Sequence, residues 1–359
     1  MDVSAFRHRW RPVLPALVVC LALAGCGGDD DEGTEGAAAP TANAASSGTI
    51  EPEMDSIKVG YPLVDPVVLP GYLAAKLGLY EKYGLDVEYV SFNGDGQTVQ
   101  ALSGGVVDAM SVGGAIAVSA ARSPKPVTMI APFQTQPTDM LVGGKDIDEP
   151  ADLSGKQVAV DAFGSDPHVS VLLALESLEV DPEDVTVTQV GAEANRVAAV
   201  AAGSVAAAPV DQFLEEDMVN EGFHILVKLA DAGANTPRHG LMVPQEWIES
   251  NPNTALALTA GALEGMQMMF EDTDKAAEIF AEWAQIPVAE ATERIELTLP
   301  LIEDQRCFAD NDELWKRMQA ALAVIDPSAG DVDTTEIWTT QFVDQLKENG
   351  IAAKIGAPC

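Results

Sequence analysis

Aspartate recurs at one kind of place in this sequence, after a short β-like run and before a helix-like one. Asp65 precedes Pro66, Asp95 follows Asn93-Gly94, Asp166 precedes Pro167, and Asp211 follows Pro209-Val210. A carboxylate there has two uses. It caps the orphan amides of its own helix, which is the commoner job, or it faces a ligand beyond the strand ends. Neighbouring turns carry small residues: Pro62-Leu63-Val64, Phe92-Asn93-Gly94, Ser111-Val112-Gly113-Gly114, Phe163-Gly164-Ser165 and Gly191-Ala192-Glu193-Ala194-Asn195. Bare amides and hydroxyls at helix starts suit anions, and paired glycines let a ligand approach the backbone. The candidate ligand contacts are therefore Pro62, Val64, Asp65, Asn93, Gly94, Gly113, Gly114, Gln134, Ser165, Asn195 and Asp211, and the expected chemistry is capture of an acidic head group by facing helix N-termini. His168 taken alone reads as a surface or packed histidine, and Arg196 as a residue of a solvated helix face or of a cleft.

Signatures of catalysis are missing. No G-x-S-x-G, H-E-x-x-H or G-x-x-x-x-G-K-(S/T) occurs, and Gly94-Asp95-Gly96 has Val99 where a dinucleotide fingerprint needs its third glycine. The histidines (8, 168, 224, 239) are scattered and the cysteines lack paired spacing for zinc. Met266, Met268 and Met269 lie in an apolar helical run and read as core. No enzyme, cofactor or metal is expected. A net charge of −36, from 20 Lys+Arg against 56 Asp+Glu, also argues against nucleic acid as a partner.

The elements that must position these residues alternate along the chain. Strands are expected at 57–61, 85–90, 107–112 and 127–131, with helices at 66–77, 97–102 and 115–121 between them. A second series starts at Asp139, with strands at 158–161, 185–190, 206–210 and 225–229 and helices at 167–178, 194–202 and 212–220. After residue 240 the pattern is nearly all helical. Such alternation predicts parallel sheets covered by helices. The segment 101–109 recurs in kind at 198–207, each a helix ending at glycine and a strand of small residues. Two similar α/β units with a helical tail predict a two-lobed α/β protein with a cleft, and Arg238-His239 falls just after the second crossing, where it is a candidate for the cleft floor.

Val59-Gly60-Tyr61 followed by Ala74-Ala75-Lys76-Leu77-Gly78-Leu79-Tyr80-Glu81-Lys82-Tyr83-Gly84-Leu85-Asp86-Val87 resembles the opening of substrate-binding proteins for sulfonate, taurine, nitrate and thiamine-precursor ABC importers. Leu153-Ser154-Gly155-Lys156-Gln157-Val158-Ala159-Val160 is similar to that family's entry to the second lobe, and Gly164-Ser165-Asp166-Pro167-His168 resembles the G-S-x-x-H turn of its sulfonate and taurine branch. The resemblance covers about 56–285. It implies a periplasmic-binding-protein type II fold, with lobe I at 56–138 plus 238–359, lobe II at 139–237, and two hinge segments between them. It implies a receptor that delivers a small solute to a permease and ATPase complex, with a sulfonate or taurine the first expectation and a thiamine-related pyrimidine the second. It adds His168 to the ligand contacts and strengthens Ser165. Tyr61, Phe92, Phe133 and Phe163 are the aromatics available for a flat ligand. The alternatives are an enzyme similar to pyrimidine synthases of thiamine biosynthesis, and a sensory receptor.

The N-terminus reads as an address. Arg7, Arg9 and Arg11 precede an apolar stretch from Val13 to Gly25, too short to span a bilayer. Leu23-Ala24-Gly25-Cys26 resembles the bacterial lipobox, which implies removal of 1–25, diacylation of Cys26 and a place on the outer face of the cytoplasmic membrane. Residues 26–55 are acidic and rich in Ala, Gly and Thr, and are expected to be a flexible tether. Cys20 leaves with the signal and Cys26 is lipidated, so Cys307 and Cys359 remain, and an oxidising compartment favours their pairing.

Overall fold

The computed structural model describes residues 50–309 and 312–359, so the expected signal segment and Cys26 lie outside the described residues. Ten strands follow in chain order: β1 (Ser56–Tyr61), β2 (Asp86–Ser91), β3 (Ala109–Val112), β4 (Val127–Gln134), β5 (Asp139–Gly143), β6 (Gln157–Val160), β7 (Thr186–Gln189), β8 (Ala207–Asp211), β9 (His224–Lys228) and β10 (His239–Pro244). Six helices alternate with them: α1 (Leu69–Lys76), α2 (Asp95–Ser103), α3 (Ala115–Ala120), α4 (Asp166–Ser177), α5 (Glu193–Ala201) and α6 (Glu215–Asn220). The helical tail comprises α7 (Gln245–Ser250), α8 (Pro252–Glu271), α9 (Thr273–Ala284), α10 (Val288–Ile302), α11 (Asp312–Ala323), α12 (Thr334–Ile337), α13 (Gln341–Glu348) and α14 (Ile351–Ile355).

The strands form two five-stranded sheets of one pattern, ordered β2-β1-β3-β10-β4 and β7-β6-β8-β5-β9. Both sheets are mixed rather than parallel. β1 pairs parallel with β2 and β3, and β6 with β7 and β8, whereas β10 and β5 run antiparallel to both of their neighbours. The sequence pattern misses these two strands for a physical reason. Met140-Leu141-Val142 and Leu241-Met242-Val243 are buried on both faces, so neither alternates. Each is the first strand after the chain crosses between sheets. The two crossings bond to one another, Arg238 N–H to the Gln134 carbonyl at 2.8 Å and Thr236 N–H to that of Thr135 at 3.1 Å.

Three boundaries differ from expectation. α1 begins at Leu69 and not at Pro66, because a second proline, Pro70, lacks an N–H and takes the first turn. Residues 50–55, expected to be tether, are docked on the body. Ile50 is buried in the core beside α1 and α8, and the Glu53 carboxylate accepts from Asn253 N–H (3.0 Å) and Thr254 N–H (2.8 Å) at the start of α8. An acid on a helix N-terminus is stabilising. The tail also does not stay with the first sheet. Trp315 and Met318 of α11 are buried in a cluster with Val169 and Leu173 of α4, and Arg317 donates to the Gly233 carbonyl at 2.5 Å. α12 then returns to β4, where Trp338 bridges to Met129.

Most of the first core lies under α8, whose Ala255, Leu258, Leu263, Met266 and Met269 are buried against Leu69, Leu73 and Tyr80. Cys307 and Cys359 are disulfide-bonded with Cα atoms 5.4 Å apart, fastening the end of the chain beside this core. Among the described residues no helix is long and apolar enough to cross a membrane.

Candidate functional site

Each sheet reverses its strand order once, between β1 and β3 in the first and between β6 and β8 in the second. Crevices outside the carboxyl ends of strands open at such points. The two crevices face each other and enclose one cavity of about 230 Å³. From the first lobe it is lined by Pro62, Leu63, Val64, Asp65, Val67, Gly94, Asp95, Gly113 and Gln134, and from the second by Asp139, Asp161, Asp166, Pro167, Ala192, Glu193, Arg196, Asp211, Phe213 and Leu214. Thr138, Arg238 and His239 of the crossings and Arg294 of α10 complete it.

Of the residues expected from sequence, Pro62, Val64, Asp65, Gly94, Gly113, Gln134, Asp211 and Arg238 meet here. Asn93, Gly114, Ser165, His168 and Asn195 stand outside the lining. Ser165 and His168 are spent on their own turn: Ser165 Oγ donates to the Ala162 carbonyl at 2.8 Å, and Gly164 N–H donates to His168 Nδ1 at 3.0 Å. Burial pushes the His168 pKa down, which suits that accepting, neutral ring. Gly114 is pressed against the Pro237 carbonyl, leaving no space for even a Cβ. The aromatics suggested for stacking also serve elsewhere. Phe133 is core against Phe308, Tyr61 bonds Trp283, and Phe163 is 62% exposed with its edge on His168. Phe213 is the lining aromatic instead, with the Arg294 guanidinium 5.5 Å above its ring.

The expected acid-binding helix N-termini are present but already occupied by the chain's own carboxylates. Asp161 Oδ2, from the turn after β6, accepts Asp95 N–H at the start of α2 (2.9 Å). Asp166 Oδ2 accepts Ala115 N–H at the start of α3 (3.2 Å). Both bonds run from the second lobe to the first. Within the lobes, Asp65 accepts Val67 N–H, Asp211 accepts Phe213 N–H and Glu193 accepts Asp211 N–H, at 2.8–3.0 Å. The glycines make room for this. Gly94 has φ +90°, and a Cβ there would lie 2.6 Å from Asp161 Oδ1, while one on Gly113 would lie 1.6 Å from Asp166 Oδ2. Facing N-termini therefore do not await an anion.

Charge in the cavity is strongly unbalanced. Seven carboxylates line it against three guanidinium groups, and the latter have partners of their own. Arg238 donates to Asp139 and to Ser170 Oγ and stands 3.8 Å from Asp166. Arg196 donates to the carbonyls of Pro209 (3.2 Å) and Gly191 (3.1 Å), and Arg294 to Glu290 (2.8 Å). Burial pushes the Asp166 pKa up to about 7, with Arg238 opposing, and that of Asp65 up to about 6, with the Glu193 charge adding to it. Burial also raises Asp95, with the charges of Asp161 and Asp166 behind it, and Asp211, with those of Asp65 and Glu193. His239 is pushed down to about 3 by burial and by Arg238, so the ring that meets Ser111 Oγ at 3.1 Å is neutral.

Sequence reasoning missed Asp139, Asp161 and Arg294 as lining residues, and weighed Asp95 and Asp166 only against capping. For Arg294 no sequence signal exists, since α10 reaches the cavity purely through tail packing. Asp161 had one: it directly follows β6, the strand equivalent to β1, where the rule that chose Pro62–Asp65 applies equally.

A family model described as NMT1/THI5 like matches residues 65–276. The chain belongs to the NMT1/THI5-like family. No curated protein matches its sequence. Among solved structures, a protein of Bordetella bronchiseptica is similar at a TM-score of 0.69 and 24% identity, covering 83% of this chain and 98% of its own. The periplasmic nitrate-binding protein NrtA of Synechocystis follows at 0.63 and 17%, covering 85% and 90%. The alkanesulfonate-binding protein SsuA of Xanthomonas axonopodis, solved with MOPS bound, gives 0.61 and 16%, covering 80% and 99%. At these identities the likeness is one of fold: this NMT1/THI5-like chain has the two-lobed periplasmic-binding-protein architecture with a helical C-terminal region.

Proposed function

We propose that this NMT1/THI5-like protein is the extracytoplasmic receptor of an ABC importer, anchored at the outer face of the cytoplasmic membrane through acylated Cys26. It captures a small solute between its lobes and presents the closed form to a permease and ATPase complex. One observation carries the reading: a single cavity is walled by the switch points of both sheets, with the crossing residues Arg238 and His239 between them. A solute that touches both walls binds the closed form better than the open one and shifts the population by that difference. Nitrate- and alkanesulfonate-binding proteins of the same fold support a transport role. The lining speaks against a sulfonate, taurine or nitrate as this chain's solute, because the chain's own carboxylates occupy the amides that an anion would take and Ser165 and His168 lie outside the cavity.

Equilibrium dialysis of residues 50–359 against an extract of spent growth medium, followed by denaturation and mass spectrometry, tests the receptor. One compound retained at about one per chain, and lost in Arg238→Gln, is the expected result. Retention of nothing, or equal retention by the variant, overturns it.

A further inference from the structure

We infer that the solute held in this cavity is a small organic cation, an amine or amidine protonated at neutral pH; the inference rests on the receptor reading above. Its first support is an unpaired carboxyl group. Asp95 is 6% exposed and lines the cavity, yet among the described residues its side chain receives no hydrogen bond and forms no ion pair, with Arg196 and Arg238 acting on it only from a distance. Only its backbone N–H is engaged, by Asp161. Asp166 repeats the arrangement: Oδ2 accepts from Ala115, while Oδ1 is buried without a hydrogen-bond partner and the nearest guanidinium nitrogen is 3.8 Å away. A buried polar group left unpaired is unfavourable, so Asp166 Oδ1, on the same cavity lining as the Asp95 carboxyl group, points to a donor that arrives with the ligand.

The second support is the fixed allocation of the chain's own donors. Arg238 is committed to Asp139 and Ser170, Arg196 to backbone carbonyls, and Arg294 to Glu290 outside the cavity. Each guanidinium is thus held by a partner of its own, and none forms an ion pair with Asp95, on which Arg196 and Arg238 act only from a distance. Burial and mutual repulsion hold these carboxyl groups toward their protonated forms, a penalty that a bound cation relieves through short charge-assisted bonds.

Two features separate an organic cation from a metal ion. Among the described residues no three carboxylate, histidine or cysteine groups converge as a metal site requires. The lining also contains hydrocarbon, from Pro62, Val64, Val67 and Phe213, which suits a carbon skeleton. The size also limits the skeleton: about 230 Å³ lies below the range of pockets for drug-sized ligands.

The test is dialysis of residues 50–359 against an equimolar mixture of 1,4-diaminobutane, agmatine, choline, ethanesulfonate, taurine, nitrate and zinc chloride, run beside the medium extract. Retention of an amine, or of a cationic compound from the extract, is expected. Titration calorimetry with the retained cation should show at least a tenfold loss of affinity in Asp95→Asn, and proton release at pH 6.5, seen as a heat that depends on the buffer. Asp166, raised to about 7, contributes to that release as well, so the mark of Asp95 is a smaller release in Asp95→Asn than in wild type, which a merely structural Asp95 would not give. Retention of the sulfonates, nitrate or zinc, or of a neutral or anionic compound from the extract, overturns the cation and leaves the receptor standing. Retention of nothing from either mixture overturns both. Unchanged affinity in Asp95→Asn overturns the assignment of its carboxyl group to the ligand.

Discussion

Asp166→Asn should make the unliganded protein more stable at alkaline pH and much less so at acid pH. Asp166 is 5% exposed, and its carboxyl group holds a proton up to about pH 7 in the folded chain against an ordinary value of 3.8, chiefly through burial. A raised acid contributes stability that is complete below pH 3.8 and is lost as pH rises toward 7. The whole window is worth about 4 kcal/mol. Asparagine has no charge to bury, and its amide oxygen can still accept from Ala115 N–H, so it escapes this loss. The variant should therefore exceed wild type by up to about 4 kcal/mol at pH 8.5, roughly 8 °C at ~2 °C per kcal/mol for a chain of this size. At pH 4.5 the gap should shrink to about 1 kcal/mol. Urea denaturation monitored by tryptophan fluorescence at both pH values, without added solute, reads the difference. A gap that does not change with pH, or a variant weaker at pH 8.5, would refute the account of Asp166 as a charge held at the expense of stability.

Cys26→Ser should leave the protein unprocessed or released into the medium, as fractionation and immunoblotting would show; equal membrane retention of variant and wild type sinks the anchor. Gly113→Ala pushes a methyl group into Asp166 Oδ2 and should destabilise by about 2 kcal/mol through overpacking, with solute affinity falling at the same time; a melting temperature within a degree of wild type counts against the close approach of the lobes. Cys359→Ser opens a loop with a sequence separation of 52 and should lower stability by about 4 kcal/mol in the chain-entropy model, measured by the same urea titration; thiol counting on unfolded, unreduced wild type should find no free thiol.

What the sequence made legible follows from the range over which each interaction acts. β2 reads plainly because Asp86-Val87-Glu88 alternates between water and core, and the turns after β1, β3 and β8 follow from a strand, a glycine or aspartate, and a helix in succession. The strands that cross between lobes do not alternate, so their antiparallel pairing became visible only in three dimensions. The site's charge is a longer-range matter still. Asp161 meets the amide of Asp95 across 66 residues, and Asp166 that of Ala115 across 51. Seen one turn at a time, each helix start has bare amides and invites an anion. Seen across the cleft, the starts of α2 and α3 are already served by carboxylates from the other lobe. The G-S-x-x-H turn shows the same separation of scales. Its serine and histidine close the turn on itself through Ala162 and Gly164, so that what the turn presents to the cavity in this chain is the pair of aspartates at 161 and 166. Turn geometry is local and could be read; the charge it delivers to the ligand depends on which partner it meets across the cleft.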